Sequence, residues 1–223
     1  PGHGGGDPGT LSDWAVEKEV VLSISLKVKA YLEVYGIQVQ MTRTGDTYPE
    51  LEDRANAATT NINLFVSIHA NAAAATGAHG IETWVFGEPL NEELLAQAIR
   101  ENGGGAEGQA RTEEAISVAQ EITKGILGET QLAYSKNLAE VIQSKMVAAT
   151  GAKDRGVRQN SFYVLRNAQS PAILIETGFV SNADEGPRLA ANDYQDTLAR
   201  AIAEGIVQFL SKGTALAATQ QQP

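Results

Sequence analysis

NLFVSIHAN, residues 63–71, is a continuous apolar run with β-branched and aromatic side chains, and it closes on His69. A run of this kind reads as a buried strand, in a sheet covered by helices on both faces. PAILIETGFV (171–180) shows the same character more strongly and carries Glu176 directly behind ILI. IETWVF (81–86), SFYVLRN (161–167) and IQVQMTR (37–43) read as further strands.

Helical patterns separate these runs. In residues 15–36, Val21, Ile24, Val28, Tyr31 and Tyr35 follow helical spacing, and Gly36 stands where a glycine C-cap belongs. The ISLKVK portion also alternates like a strand, but the length of the segment favours a helix. PELEDRANAATT (49–60) has a proline near its start, early acids and good helix formers. NDYQDTLARAIAEGIVQFLSK (192–212) is amphipathic, with Tyr194, Leu198, Ala201, Ile202, Ile206 and Phe209 as its apolar stripe. Strands alternating with helices predict an α/β domain with a mostly parallel sheet.

Between Phe86 and Asp154 the rhythm breaks into three helical patterns and a glycine-rich joint, ENGGGAEG (101–108). The last helix, 130–149, is assigned to the core. Residues 88–129 read as a helical insertion in a single domain spanning 1–212. The tail GTALAATQQQP, 213–223, is small and polar and is expected to be disordered.

Composition narrows the function. Of 223 residues 43% are hydrophobic, enough for a real core, and the net charge of −10 argues against a nucleic-acid partner. There is no cysteine, so a metal would need His, Asp or Glu, and the histidines are His3, His69 and His79. No apolar run is long enough to span a membrane, and no signal peptide is visible. The chain opens directly on PGHGGGDPGT, which reads as the start of a trimmed or mature fragment.

In open α/β sheets, ligands collect at the carboxyl ends of strands. His69 and Glu176 lie at such ends, His3 sits in the opening loop, and Glu17 follows that loop at the start of the first helix. If the strands are neighbours, the four groups converge. Two imidazoles and a carboxylate match a catalytic zinc shell, with a second carboxylate left as general base. Blander readings exist for each. His3 could belong to a plain turn, His69 could be a satisfied core-edge histidine, and Glu17 could be solvated, with Glu19 as competitor. Glu176 is the least bland, because a carboxylate behind ILI is expensive to bury unless paired or working. His79, in AAAATGAHG, reads as solvent-exposed. The opening loop is no phosphate cradle, since neither GK[ST] nor GxGxxG is present.

PGHGGGDPGT, EKEVVL, TRTGD, LEDRANAA, FVSIHAN, GIETW, DRGV, FYVLR and PAILIETGFVSN occur in that order. The series resembles the zinc-dependent N-acetylmuramoyl-L-alanine amidases of bacterial cell-wall turnover, over about residues 1–87 and 134–212. The resemblance implies a mixed, mainly parallel sheet of about six strands, with the strand that normally precedes PGHGG absent. It implies Zn2+ held by His3, Glu17 and His69, with Glu176 as the catalytic glutamate. The implied reaction is hydrolysis of the amide between N-acetylmuramic acid and L-alanine in peptidoglycan, which places the protein in the periplasm or cell wall. Asn71 and Arg155 lie in motifs beside this site, as candidates for orienting ligands or binding substrate.

The insertion 88–129 falls where some division amidases carry a helical element that covers the zinc site until an activator protein displaces it. Here it offers Glu92, Glu93, Glu113 and Glu114, with flexible joints at Gly103–Gly105. The competing reading is a surface decoration beside the substrate groove. Two other functions stay open: a zinc peptidase acting within the stem peptide, and a non-catalytic peptidoglycan-binding module.

Overall fold

The structure, a computed structural model, describes residues 1–59, 61–75, 77–122 and 126–219. Its one sheet has four strands: β1 (Phe65–Asn71), β2 (Ile81–Phe86), β3 (Asp154–Asn160) and β4 (Ala172–Phe179), in the order β1-β4-β2-β3. β1 and β4 are parallel, β2 and β3 are parallel, and β2 runs antiparallel to β4. The sheet is mixed, as expected, but it has four strands rather than about six.

Two of the expected strands are absent among the described residues. Segment 37–43 has the right alternation but no ladder partner. Val39 and Met41 line a cavity of ≈ 260 Å³ whose other wall includes Phe65, Val66 and Ile68 of β1. SFYVLRN instead forms the short helix α6 (Tyr163–Arg166). Its apolar residues Phe162, Val164 and Leu165 are buried in a core beneath the sheet, so their hydrophobicity reflects packing and not strand pairing. The true neighbouring strand is β3, DRGVRQN, whose charge hid it. As an edge strand it is only half buried, and edge positions tolerate charge.

α1 (Glu17–Val34) buries Val20, Val21, Ile24, Val28 and Leu32. It ends in a Schellman pattern: the Gly36 N–H donates to Glu33 O at 3.0 Å and the Ile37 N–H to Leu32 O at 3.1 Å. Gly36 takes φ +73, which a side chain would disfavour. α2 (Leu51–Asn56) is shorter than the 49–60 pattern. α5 (Ile126–Thr150) starts inside the segment assigned to the insertion. α7 (Glu185–Ala190) follows β4, and α8 (Asn192–Thr219) continues past residue 212, through most of the stretch expected to be disordered. Residues 220–223 lie outside the described residues.

The two sheet faces carry different cores. Ile68, Ile81, Val85, Ile173 and Ile175 pack against α1, α5 and α8, where Ile24, Leu138, Ile142, Met146, Leu198 and Ile202 are fully buried. Trp84, Ala172 and Leu174 face a second core with Leu51, Phe162 and Leu165. The insertion packs on this second side. It is a helical hairpin, α3 (Glu92–Glu101) and α4 (Gly105–Ile122), turned through Asn102–Gly104. Leu94 and Ala98 of α3 join the second core. Asn102 fastens the turn: its side chain donates to Ser161 O at 2.9 Å and accepts the Tyr163 N–H at 2.7 Å. Arg111–Glu52 and Arg166–Glu114 tie α4 to α2 and α6.

Candidate metal centre

The four residues singled out in the sequence meet at the carboxyl ends of β1 and β4, on the side covered by α3. His69 and Glu176 are register partners on these adjacent strands, so their side chains leave the same face of the sheet. The Gly2 N–H donates to Ile68 O at 2.9 Å, which lays the opening loop against β1 and brings His3 over the strand end. Glu17, the first residue of α1, is buried at 3% exposure; its Oε1 accepts the Ala70 N–H at 3.0 Å and its Oε2 the Thr10 N–H at 2.9 Å.

The distances define a small polar chamber. Glu17 Oε1 lies 3.1 Å from His3 Nε2 and 3.2 Å from His69 Nδ1. The other imidazole nitrogens are engaged: His3 Nδ1 with Asp7 Oδ2 at 2.8 Å, and His69 Nε2 with Ser67 Oγ at 3.2 Å. A fifth side chain, which the sequence reading did not select, enters from α3. Glu101 Oε2 is 3.7 Å from His3 Nε2 and 3.4 Å from His69 Nδ1. His3 Nε2, His69 Nδ1 and Glu101 Oε2 are buried, and beyond their close charge contacts with Glu17 and one another none makes a well-aligned hydrogen bond. One ligand atom from each of these residues lies within 4.8 Å of the others. Buried polar atoms are rarely left unpaired. Nitrogen and oxygen donors turned toward a common point fit a zinc ion.

Close packing of the opening loop explains two of its glycines. A Cβ on Gly2 would fall 2.3 Å from the His69 ring, and one on Gly9 would fall 2.6 Å from both Glu17 Oε2 and the His3 ring. These positions must be bare for His3, Glu17 and His69 to approach one another.

The charges are strongly coupled. Burial opposes protonation of His3, but Glu17, Asp7 and Glu101 outweigh it and push its pKa up to about 11. Burial works against ionisation of Glu17, yet His3 and His69 hold its carboxyl well below the usual carboxylate range. Glu176, at 2% exposure, is held well above that range by burial and by the Glu101, Glu17 and Glu82 carboxylates. Its Oε1 accepts from Gln97 Nε2 at 3.3 Å, and its Oε2 has no partner.

Glu92, Glu93, Glu113 and Glu114, the acids that the sequence offered for covering the site, are all solvent-exposed. Glu101 takes that position instead. Asn71 and Arg155 make no hydrogen bond or ion pair with His3, Glu17, His69 or Glu176 among the described residues; both bind Glu82, which the sequence reading also missed. Asn71 Nδ2 donates to Glu82 Oε1 at 2.9 Å; Arg155 Nε and Arg158 Nη1 donate to Oε2 at 2.9 and 3.1 Å. Glu82 is the register partner of Glu176 on β2. His79 is exposed, as read from the sequence. A cavity of ≈ 360 Å³ opens beside the chamber, lined by His3, His69, Tyr48, Arg54, Arg100 and Glu101 among others.

The N-acetylmuramoyl-L-alanine amidase family model matches residues 1–208, nearly the whole chain. The chain belongs to this family. Among curated amidases it is 33% identical over 210 residues to LytC of Bacillus subtilis, covering 94% of this chain and 34% of LytC. It therefore spans about a third of that relative's length. The crystal structure of an N-acetylmuramoyl-L-alanine amidase from Clostridium difficile 630 superposes with a TM-score of 0.71 at 34% identity, covering 95% of this chain and 94% of that one. The CwlD amidase from Clostridioides difficile, solved in complex with the GerS lipoprotein, gives a TM-score of 0.69 at 28% identity, covering 94% of this chain and 95% of that one. The amidase fold thus extends across the sheet and both helical layers.

Proposed function

We propose that this chain hydrolyses the amide bond between N-acetylmuramic acid and L-alanine in peptidoglycan, at a zinc ion held by His3, Glu17 and His69. The observation that carries this reading is the convergence of His3 Nε2, His69 Nδ1 and Glu17 Oε1, with Glu176 on the neighbouring strand. Family membership supplies the substrate. Bound there, zinc supplies Lewis-acid polarisation of the scissile carbonyl and a lowered pKa for the attacking water.

The chain's own residues set up the rest. Asp7 accepts the His3 Nδ1–H and leaves Nε2 free to ligate. Ser67 engages His69 Nε2 and leaves Nδ1. Glu176 takes a proton from the attacking water and returns it to the leaving amine of L-alanine. Burial and the neighbouring Glu101, Glu17 and Glu82 carboxylates raise the Glu176 carboxyl, so it binds a proton more tightly than an exposed carboxylate does. Asn71, Arg155 and Arg158 hold Glu82 beside this strand end and present the rim that substrate meets.

The insertion gates this site. Gln97 lies on Glu176, and Glu101 stands between the two imidazoles, so α3 covers both the base and the ligands. Substrate enters when α3 moves away, a position switch that an activator protein can drive. That the related CwlD amidase is found in complex with a lipoprotein supports such a partner. Peptidoglycan lies outside the cytoplasmic membrane, so the reading places the protein there. No helix among the described residues is long and apolar enough to cross a membrane.

The test is digestion of purified peptidoglycan by metal-free and zinc-restored protein, with Glu101→Ala run beside the wild type to remove the covering carboxylate. Zinc should restore hydrolysis to both, and should not restore it to His3→Ala or His69→Ala. Full activity of metal-free protein would reject the proposal.

A further inference from the structure

His3 is the one non-glycine residue with positive φ, at +51, among the described residues. Such a conformation is uncommon for a residue with a side chain, so the surroundings must hold it. Gly4 and Gly5, which follow it, also have positive φ and add no rigidity of their own.

Two buried arginines lie against this turn. Arg43 and Arg54 are 3% and 5% exposed. Every hydrogen bond that either guanidinium makes among the described residues goes to a backbone carbonyl. Asp7 and Asp46 act on Arg43, and Asp7, Glu101 and Glu50 on Arg54, only through space, so each guanidinium spends its directional hydrogen bonds on holding backbone. Arg43 Nη2 donates to Gly2 O at 2.6 Å, and Arg54 Nη2 donates to His3 O at 3.1 Å. These are the carbonyls of the two peptide planes on either side of the His3 Cα. Fixing both planes fixes φ and ψ of His3.

Arg43 reaches further. The same Nη2 donates to Lys18 O at 2.9 Å, one residue beyond Glu17, and Nη1 donates to Gly45 O at 3.2 Å. One guanidinium therefore joins the loop that carries His3 to the helix start that carries Glu17. Arg54 is anchored at its other end by Nε donating to Pro49 O at 2.9 Å, and lies over the Tyr48 ring at 5.3 Å.

We propose that Arg43 and Arg54 are positioning residues of the metal centre: together they clamp the peptide planes flanking His3, and Arg43 sets the spacing between His3 and Glu17. The proposal rests on the reading of His3, Glu17 and His69 as metal ligands. Neither arginine touches the metal position, so its signature is metal affinity and ligand geometry, not catalysis alone.

The experiment uses the full chain and Arg43→Lys and Arg54→Lys, which keep the charge but lose the fork that spans two carbonyls. Zinc affinity is measured by competition with a chromophoric chelator, and ligand geometry by the visible d–d spectrum of the cobalt-substituted protein. Ile142→Ala, a cavity variant between α5 and α8, is the comparator for plain destabilisation. The expected result is zinc binding weakened about 10–100-fold in each lysine variant, with an altered cobalt spectrum, and both unchanged in Ile142→Ala. Should a lysine variant fail to fold, Arg43→Gln and Arg54→Gln, whose planar amides keep part of the donor set, carry the same readouts and the same expectation. Lysine or glutamine variants that bind zinc within twofold of wild type, with an unchanged spectrum, overturn the clamp. Wild type that binds no zinc, or His3→Ala that binds it as tightly as wild type, overturns the metal reading itself and the clamp with it.

Discussion

Gln97 and Glu101 stand one turn apart on the same face of α3, and each engages a different half of the site. Gln97 Nε2 lies 3.3 Å from Glu176 Oε1, and Glu101 Oε2 lies 3.4 Å from His69 Nδ1. Through residues i and i+4 one helix face thus reaches both Glu176 and the two imidazoles. The hairpin behind it is well fastened by Asn102, Arg111 and Arg166, so opening would require these ties to yield or α3 to shift on its own.

Removing those contacts should release activity. Peptidoglycan hydrolysis by Glu101→Ala should exceed wild type by about tenfold, the equivalent of roughly 1.4 kcal/mol of closing contact. Gln97→Ala should add to it. A rate in the double variant equal to wild type would mean that α3 does not limit access.

Glu176→Gln should keep zinc and lose turnover. Loss of a positioned general base typically costs 10²- to 10⁴-fold, so hydrolysis should fall by about three orders of magnitude. Metal content measured on the same preparation separates this from ligand loss.

Metal loading should release protons. With its pKa raised from 6.5 to about 11, His3 in the metal-free protein is protonated at pH 7, and zinc must displace that proton from Nε2. Calorimetric titration of zinc in buffers of different ionisation enthalpy should report at least about one proton released, with affinity weakening as pH falls. For the metal-free fold the sign is the reverse. A raised histidine pKa contributes stability that is fully present below pH 6.5 and is lost as pH rises through about 11. Metal-free protein should therefore lose thermal stability toward alkaline pH more steeply than a His3→Ala variant.

Glu82 is the structural counterpart of Glu176 across β2 and β4. Glu82→Ala leaves Arg155 and Arg158 without their shared carboxylate and Asn71 without its acceptor. Loss of a buried partner can cost 3–5 kcal/mol, but both arginines are partly exposed and water compensates them in part. Chemical denaturation should show a loss of about 1–3 kcal/mol.

Much of this site was legible because its chemistry stands at element boundaries. His69 and Glu176 follow apolar strand runs, and His3 stands in a loop nearly free of side chains, so each is conspicuous as a polar group in a place that has to be explained. Glu101 was not legible, because it borders the GGG turn and reads as part of a flexible joint. Only the docking of α3 on the second core aims it inward. Glu82 was hidden in the alternation of IETWVF, where a polar residue is expected on one face. The strand count failed for a related reason. Residues 37–43 carry a strand pattern but lack a paired neighbour, whereas charged β3 has its neighbour in β2. Pattern reports what a segment can do, and pairing depends on what lies beside it.

The bond that is broken distinguishes a muramoyl–alanine amidase from a stem-peptide peptidase. Purified peptidoglycan should be digested with the zinc-loaded Glu101→Ala variant and the soluble products sequenced by mass spectrometry. The expected products are stem peptides with a new free L-alanine amino terminus and glycan strands whose lactyl groups end in a free carboxyl. Cleavage confined to bonds within the stem peptide, with the muramoyl–alanine amide intact, would contradict it.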